Sequence, residues 1–387
     1  MSTITSQNQR RRNRKRGSIL KGFDPLLSVA IVGLLVIGTL LVYAATKPWY
    51  VSLGLDPEYY LKRHVINIVI GGCLALSATL IDYRLIRAYT PILWGAGVLG
   101  LIAVLIPGIG STVNGARAWI SLPGGFQIQP AELVKISIII GIAVILSEGV
   151  HDREEPNNKT VAQALAVAAF PIFLILLQPD MGTVIIISAS VLTIVAVSGA
   201  SSRWVIGLLF VALLGSFTAV KVGVLSDYQV KRLQSFVNPS ADPQQSGYQL
   251  RQSRITVGSG GLLGKGLFNG PQTNGRFVPE QHTDFIFTVA GEELGFAGSS
   301  LILILYLIVL LRGFRIARRS EDLFGRLVCI GVISWFAFQA FENIGMTMGL
   351  MPMTGVPLPF VSYGGSSMFA NLIGVGLLQN IHARTRG

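Results

Sequence analysis

The sequence predicts an all-α polytopic membrane protein of about ten transmembrane helices, and two observations carry this prediction. Hydrophobic residues make up 51% of the 387 residues and charged residues only 13%, about half the charged fraction of a soluble domain. The apolar residues also fall in long blocks such as residues 26–45, which approach the roughly 20 residues that cross a bilayer. Both observations argue against a soluble fold.

Ten apolar segments have the length of membrane-spanning helices. The first, residues 25–46, is longer than the roughly 7–15-residue core of a signal peptide, so we expect an uncleaved first helix. Pro130 suits the start of the fourth segment, because a proline at the first helical position lacks only an N–H that needs no partner there. The segments cover residues 25–46, 64–81, 88–106, 130–146, 160–177, 182–199, 203–223, 285–311, 323–349 and 365–382.

Positive charge in the short connections predicts that both termini are cytoplasmic. The basic run Arg10–Arg16 precedes the first apolar segment, and short cytoplasmic connections carry an excess of lysine and arginine. We therefore divide the chain into a basic cytoplasmic tail (1–24), a single transmembrane domain (25–382) and a short cytoplasmic tail (383–387). Alternation then places three segments outside the cytoplasm: residues 107–129, residues 178–183 and a large loop of about 224–284 between the seventh and eighth helices.

The net charge of +12 follows from the same arrangement. Most basic residues flank apolar segments, where they contact anionic lipid, so we expect a membrane surface and no nucleic acid as partner. The large outer loop is also basic, which suggests an anionic ligand or lipid on the outer face. No internal repeat is visible, whereas many transporters are built from repeats.

The first group of candidate functional residues lies in the outer segment 107–129 and in the helix after it. Charged residues near apolar spans cost roughly 2.5–3.5 kcal/mol each on insertion scales and mark functional candidates. Glu132 and Lys135 are three residues apart on a predicted helix, so they share a face and either neutralise each other or serve a ligand. Arg117 offers a planar fork of donors that suits phosphate. Trp119 either contacts a ligand or anchors the chain at the membrane interface.

Two aspartates lie where predicted helices begin. Asp180 precedes the helix at 182–199 and either caps it through its carboxylate or contributes to a site. Asp284 lies beside an apolar run, where desolvation raises a carboxyl pKa and suits a general base, but it is equally placed to cap the next helix. His282 has no neighbouring histidine or cysteine in the sequence, so we predict no metal site there.

Residues 357–367 combine prolines and glycines at a density that breaks a helix. Broken backbone at membrane depth is tolerated only inside protein or beside a water-filled cavity, and its free amides can hold an anion. Ser366 belongs to this segment. The alternative is an ordinary connecting loop.

Four segments together resemble the SEDS family (shape, elongation, division and sporulation proteins). They match the family in order and spacing, and the similarity covers nearly the whole chain except the basic tail. Three further segments, 246–249, 264–267 and 342–346, are more similar to the RodA-like elongation branch than to the division branch. The four family segments are 129–132 (QPAE), 178–180 (QPD), 280–287 (EQHTDFIF) and 362–367 (SYGGSS).

The resemblance implies a multi-pass peptidoglycan glycosyltransferase of the bacterial inner membrane. Such an enzyme polymerises lipid II into glycan strands during cell elongation and shape maintenance, and it releases undecaprenyl pyrophosphate. A class B penicillin-binding protein is the implied partner. The family's catalytic aspartate falls on Asp284, and its important arginine, tryptophan, glutamate and lysine fall on Arg117, Trp119, Glu132 and Lys135.

We expect Asp284 to act as the base, and Asp180, His282 and Ser366 to join the substrate-binding residues. Arg117 and Lys135 would stabilise the leaving diphosphate, with or without a divalent cation such as Mg²⁺ or Mn²⁺. Two other functions stay open at this point: a lipid II flippase or transporter, and a scaffold without chemistry that recruits the penicillin-binding protein. Both predict that polymerisation survives the loss of Asp284.

Overall fold

A computed structural model describes residues 22–113, 116–149, 155–222, 227–238 and 245–385. The basic run Arg10–Arg16 and the last two residues lie outside the described residues. The predicted N-terminal cytoplasmic tail therefore falls mostly outside the part of the chain that the structure describes. Asn114 and Gly115, within the outer segment 107–129, are outside it as well.

The described residues are mostly helical, which confirms the predicted fold class. In the first half of the chain one short sheet lies between two of the helices, and in the second half the large outer loop contains three short helices. In chain order the helices are α1 (Pro25–Ser52), α2 (Tyr59–Leu80), α3 (Tyr83–Ala88), α4 (Thr90–Leu105), α5 (Pro130–Glu148), α6 (Asn158–Leu176), α7 (Met181–Val197), α8 (Ser202–Val222), α9 (Asp227–Val237), α10 (Ser246–Ser259), α11 (Pro271–Asn274), α12 (Ile286–Glu293), α13 (Gly295–Arg319), α14 (Leu323–Met348) and α15 (Gly365–Thr385).

Each of the ten predicted apolar segments coincides with helical structure. Six helices, α1, α2, α5, α6, α13 and α14, are long and apolar enough to cross a membrane, and shorter apolar helices lie at Thr90–Leu105, Met181–Val197 and Ser202–Gly215. The chain is thus a multi-pass membrane protein. The number of crossings and the cytoplasmic position of both termini stay predictions.

The outer segment 107–129 contains a small sheet that the all-α prediction missed. Three antiparallel strands, β1 (Gly110–Val113), β2 (Ala116–Leu122) and β3 (Phe126–Ile128), pair in the order β1-β2-β3. Gly125, with φ 75°, lies in the tight turn between β2 and β3, a conformation that glycine adopts at little cost. Strands of three to seven residues show too few alternations for the period of a strand to be recognised in the sequence.

The predicted helix at 285–311 is two helices, α12 and α13, which meet at Leu294 and Gly295. Gly295 has φ 67°, and a Cβ there would lie 2.2 Å from the backbone nitrogen of Gly264. The loop around Gly264 supplies hydrogen bonds to both helix ends: the Lys265 N–H donates to the Glu292 oxygen (2.9 Å), and the Phe296 N–H donates to the Gly261 oxygen (2.9 Å). The break is stable because these bonds satisfy backbone groups that a helix end leaves unpaired.

The two most buried spans form the centre of the bundle. About 78% of the apolar stretch of α5 and 72% of that of α14 are buried, against 28–39% for α1, α2, α6 and α13. The outer helices expose large apolar side chains such as Val29 (67%) and Phe296 (68%), which suits a lipid surround. The central helices are therefore where a buried charge must find partners inside the protein.

Residues 349–364, which we call the proline–glycine segment, connect α14 to α15 without regular secondary structure. This confirms the predicted helix break. Its apolar side chains Val356, Leu358 and Phe360 are almost fully buried, so the segment runs through the protein interior and does not face lipid, as broken backbone must.

Candidate active site

Asp284 ends the outer loop and lies directly before α12, but it does not cap that helix. The N-cap position belongs to Phe285, and no side chain caps α12. The Asn343 amide group on α14 donates to the backbone oxygen of Asp284 at 2.7 Å. The half-buried carboxylate, in contrast, receives no hydrogen bond from any residue that the structure describes. Of the two roles left open by the sequence, capping is therefore wrong for Asp284.

Three charged groups act on the Asp284 carboxylate: Arg232 on α9, Glu280 in the same loop and Asp180 before α7. Burial raises the pKa of Asp284 to about 7, the two acidic neighbours add to the rise, and Arg232 opposes it. A Cβ on Gly355 would lie 3.2 Å from the Asp284 Oδ2 and 3.4 Å from the Arg232 Nη1, so both groups reach the same glycine. A carboxyl group that titrates near neutral pH is suited to proton abstraction.

The proline–glycine segment is joined to the loop that carries Asp284 by hydrogen bonds. The Ser362 hydroxyl donates to the Thr283 oxygen at 2.5 Å, and the Tyr363 N–H donates to the His282 oxygen at 2.9 Å. Asn343 donates to both sides of this junction. Besides the backbone oxygen of Asp284, its amide group reaches the backbone oxygen of Val356 in the proline–glycine segment at 2.7 Å. Asp284 is thus carried by a loop that is fixed on two sides.

His282 packs among aromatic rings and carries no charge at neutral pH. Its ring centroid lies 4.7 Å from that of Tyr60 and 5.8 Å from that of Tyr363. Burial, with the nearby charge of Arg276, lowers the pKa of His282 to about 4. Any contact of His282 with a substrate is therefore a neutral hydrogen bond or a packing contact.

Glu132 and Lys135 form an ion pair inside the bundle. The Lys135 Nζ lies 2.8 Å from the Glu132 Oε2, and their side chains are 1% (Lys135) and 5% (Glu132) exposed. The same Nζ donates to the Gln339 Oε1 at 3.2 Å and lies 4.7 Å from the centre of the Trp335 ring. The sequence left open whether the two charges neutralise each other or contact a ligand. The structure favours mutual neutralisation.

Asp180 caps α7, which confirms the capping alternative for this residue. Its carboxylate accepts from the Thr183 N–H (3.0 Å) and hydroxyl (2.8 Å), and from the Gln129 side chain (2.9 Å). Burial raises the pKa of Asp180. The Gln129 N–H in turn donates to the Ser366 hydroxyl at 2.8 Å. Asp180 and Ser366 thus meet at the start of α5, where they connect α7, α5 and α15.

Arg117 and Trp119 lie on β2, apart from these contacts. Ala118 between them is buried (2% exposed), and the strand register shifts at this residue, since Arg117 pairs with Thr112 and Trp119 with Ser111. Arg117 is exposed and makes no hydrogen bond or ion pair with any described residue, so its guanidinium is accessible to an anion. The sheet packs against α4 and α5, the second of which carries Glu132 and Lys135.

The structure adds residues to the site that no sequence pattern predicted. Arg232 appeared only as one basic residue of the outer loop, and Asn343 only as part of a branch-specific segment. A polar side chain within an apolar span is itself a signal, and Asn343 and Gln339 on α14 carry it. Nothing in the sequence singles out Gly355 or pairs Arg232 with Asp284, because that contact joins residues more than 50 positions apart.

No three histidine, cysteine, aspartate or glutamate side chains converge on a metal-sized space within the described ranges. The groups nearest Asp284 include a guanidinium, which repels a cation. The described residues around Asp284 therefore do not fit a metal site held by the protein itself, and the divalent cation allowed for above stays a prediction.

Comparison with known proteins identifies relatives over almost the full length. The chain is 38% identical over 363 residues to stage V sporulation protein E of Bacillus subtilis, covering 94% of this chain and 98% of that protein. It is 36% identical over 353 residues to peptidoglycan glycosyltransferase MrdB of Escherichia coli, covering 91% and 93%. It is also 36% identical over 369 residues to the probable peptidoglycan glycosyltransferase FtsW of Geobacter metallireducens, covering 95% and 96%.

Two solved structures share the fold. Rod shape determining protein RodA of Thermus thermophilus matches with a TM-score of 0.68 and 29% identity, covering 93% of this chain and 96% of that one. A chain from work on the structural coordination of polymerization and crosslinking by a peptidoglycan synthase complex matches with a TM-score of 0.76 and 30% identity, covering 94% and 98%. The profile of the FtsW/RodA/SpoVE cell cycle proteins matches residues 25–387, and the chain belongs to that family.

Proposed function

We propose that this chain is a peptidoglycan glycosyltransferase that polymerises lipid II at the outer face of the bacterial inner membrane. The names of its relatives support the reaction class, since two of them are peptidoglycan glycosyltransferases. One structural observation carries the assignment to a site. Asp284 is a half-buried carboxyl with a pKa of about 7 and no hydrogen-bond partner among the described residues, which suits a group that accepts a proton.

In the proposed reaction, Asp284 accepts the proton of the 4-hydroxyl group on the acceptor GlcNAc. The hydroxyl oxygen forms a bond to C1 of the donor MurNAc while the bond from C1 to the diphosphate oxygen breaks. Undecaprenyl pyrophosphate leaves with the electron pair of that bond. Displacement in one step inverts the anomeric carbon, which yields a β linkage from an α-linked donor. A positioned base of this kind contributes roughly 10²–10⁴ in rate.

Arg117 is the proposed cation for the developing charge on the diphosphate, because it is exposed and unpaired among the described residues. Trp119, two residues further along β2, would pack against the substrate. Lys135 is 1% exposed and paired with Glu132, so we propose that these two act on the site through the structure of α5. His282 would contact the substrate as a neutral group, whereas Asp180 and Ser366 would hold the start of α5 in position.

The proposed setting is cell elongation, with a class B penicillin-binding protein as partner. The structural similarity to a chain from a peptidoglycan synthase complex supports the proposal that this chain acts in such a complex. Identity does not separate the branches, because relatives named for sporulation, for FtsW and for MrdB are 36–38% identical to this chain. The elongation assignment therefore depends on the branch-specific segments of the sequence.

The test is polymerisation of purified lipid II by the chain together with its cognate penicillin-binding protein. Asp284→Asn keeps the shape of the side chain and removes its basicity, so we expect the rate to fall about 100-fold or more. Asp56→Asn is a matched control, because Asp56 is exposed and pairs with Lys62; this variant should polymerise normally.

Equal polymerisation by wild type and Asp284→Asn would overturn Asp284 as the base. Lipid II transport into vesicles without any polymer would favour the flippase, and full activity of every site variant would favour the scaffold.

A further inference from the structure

Gly355 in the proline–glycine segment is a meeting point of two charged side chains from distant parts of the chain. Its φ of 76° lies in the left-handed region that favours glycine. On the side where a Cβ would stand, the Asp284 Oδ2 is 3.2 Å away and the Arg232 Nη1 is 3.4 Å away. A side chain at this position would be strained by that φ, and its Cβ would press the Asp284 carboxylate aside by a few tenths of an ångström.

Arg232 is also attached to the backbone of the same segment. Its Nη1 donates to the Met353 oxygen at 3.3 Å, two residues before Gly355. The half-buried guanidinium therefore reaches from α9, in the outer loop, to the segment that packs beside Asp284. The same arrangement fixes the position of the guanidinium relative to the carboxylate.

We infer that Arg232 is a positioning residue for Asp284, which holds the Asp284 carboxylate ionised and in place at the Gly355 turn. This inference rests on the proposed function, in which Asp284 is the base. A base must be unprotonated to accept a proton, and the other charged groups that face Asp284 are two carboxylates: Glu280 in the same loop and Asp180 at the start of α7. Arg232 is the only cation among the charged groups that act on Asp284 within the described part of the chain.

The consequence is a pH dependence that a purely structural role would not produce. An opposite charge within about 4–6 Å lowers an aspartate pKa by roughly 1–3 units. Without the guanidinium, Asp284 should ionise only at higher pH. We expect Arg232→Gln to move the midpoint of the pH–rate profile upward by about one unit, which leaves the rate about fivefold lower at pH 7 and nearly normal at pH 9. Arg232→Lys keeps the charge, so its midpoint should stay close to that of the wild type.

Arg254→Gln is the matched control for the loss of a guanidinium that binds this region. Arg254 donates to the Met348 oxygen (3.2 Å) and the Gly349 oxygen (3.0 Å) at the start of the segment, but it is not among the charged groups that act on Asp284. Its loss should leave the midpoint of the profile unchanged. A uniform fall in rate for Arg232→Gln at every pH, like that of a structural contact, would overturn the inference.

A second pair of variants tests the Gly355 turn without removing a charge. Gly355→Ala places a methyl group about 3.2 Å from the Asp284 Oδ2 in a backbone conformation that strains an L residue. It should lower the rate by on the order of 10-fold through a small shift of the base. Gly364→Ala, in the same segment, meets nothing nearer than 3.8 Å and should be close to wild type. Thermal unfolding of each purified complex separates a lost site from a lost fold, and normal activity of a stable Gly355→Ala variant would contradict the inference.

The outcomes distinguish this inference from the proposed function. If Asp284→Asn is inactive while Arg232→Gln keeps the wild-type profile, the base stands and the role of Arg232 falls. If Asp284→Asn is fully active, the proposed base falls first, and a midpoint shift in Arg232→Gln would then belong to another group.

Discussion

Asp24 and Asp284 each stand at or just before the start of a helix and near an arginine, yet their surroundings are opposite. Asp24 is 0% exposed and caps α1 by accepting from the Leu27 N–H at 3.0 Å. Arg312 donates from its Nε to both carboxylate oxygens, at 3.1 and 3.0 Å. Although burial alone raises the pKa of Asp24, the hydrogen bonds from Arg312 and Leu27 hold that pKa below its usual value.

The Asp284 carboxylate accepts no hydrogen bond from a backbone N–H or from an arginine among the described residues, and its pKa is raised to about 7. The difference shows how a membrane protein uses the same residue for two purposes. Where every acceptor site of a buried carboxylate is filled, the residue connects helices, as Asp24 connects the start of α1 to α13. Where the carboxylate is left without a donor, the cost of its burial appears as a raised pKa, which is the property that a base needs.

The Glu132–Lys135 pair offers the strongest test of how a buried carboxylate with a partner differs from one without. Lys135→Met leaves the Glu132 carboxylate alone in the bundle, which should cost about 3–5 kcal/mol of stability and lower the thermal unfolding temperature in detergent. Adding Glu132→Gln removes the stranded charge and should recover most of that stability. If Lys135 only supports α5, the double variant also recovers polymerisation. A stable but inactive double variant would instead assign Lys135 to the substrate.

Arg312→Gln should have the next largest effect, a loss of about 3 kcal/mol, because it leaves the buried Asp24 without its main donor. The loss should be at the lower end of the range for buried pairs, since the Arg312 side chain is 15% exposed. Arg315→Gln on the same helix is the control: Arg315 is exposed and has no ion pair among the described residues. Equal unfolding temperatures for the two variants would remove Asp24 from the class of structural aspartates.

Asp180→Asn should have the smallest effect and test the boundary between the two classes. Asparagine caps a helix about as well as aspartate, so stability should change by less than about 1 kcal/mol. Removal of one negative charge near Asp284 should lower the midpoint of the pH–rate profile by about half a unit or less at the dielectric typical of a protein surface. A large loss of activity in a stable Asp180→Asn variant would give Asp180 a direct role in catalysis.

The helices could be predicted from the sequence because each apolar segment is long enough to read by itself. The predictions failed where a structure depends on contacts between distant residues. The break at Gly295 depends on the close approach of Gly264, and the sheet at 110–128 depends on strands of three to seven residues. Neither produces a pattern within a single segment.

The candidate site divides in the same way. Asp284, Asp180 and the Glu132–Lys135 pair could be found because ionisable residues stand out beside apolar segments. Whether each is capped, paired or left without a partner could not be predicted, since that depends on residues such as Asn343 and Arg232 from other helices. The sequence left capping and a role in the site open for both aspartates, and the structure shows that Asp180 caps a helix whereas Asp284 does not.

The role of Asp284 as the base can be tested by the rate of lipid II polymerisation by the wild-type complex between pH 5 and pH 9. If Asp284 is the base, the rate should rise with pH, because the carboxyl must lose its proton, and the midpoint should lie near the pKa of about 7. The rate should level off above pH 8, and the residual rate of Asp284→Asn should not follow the same curve. A rate that is already maximal at pH 5, or that falls through neutral pH, would contradict the account.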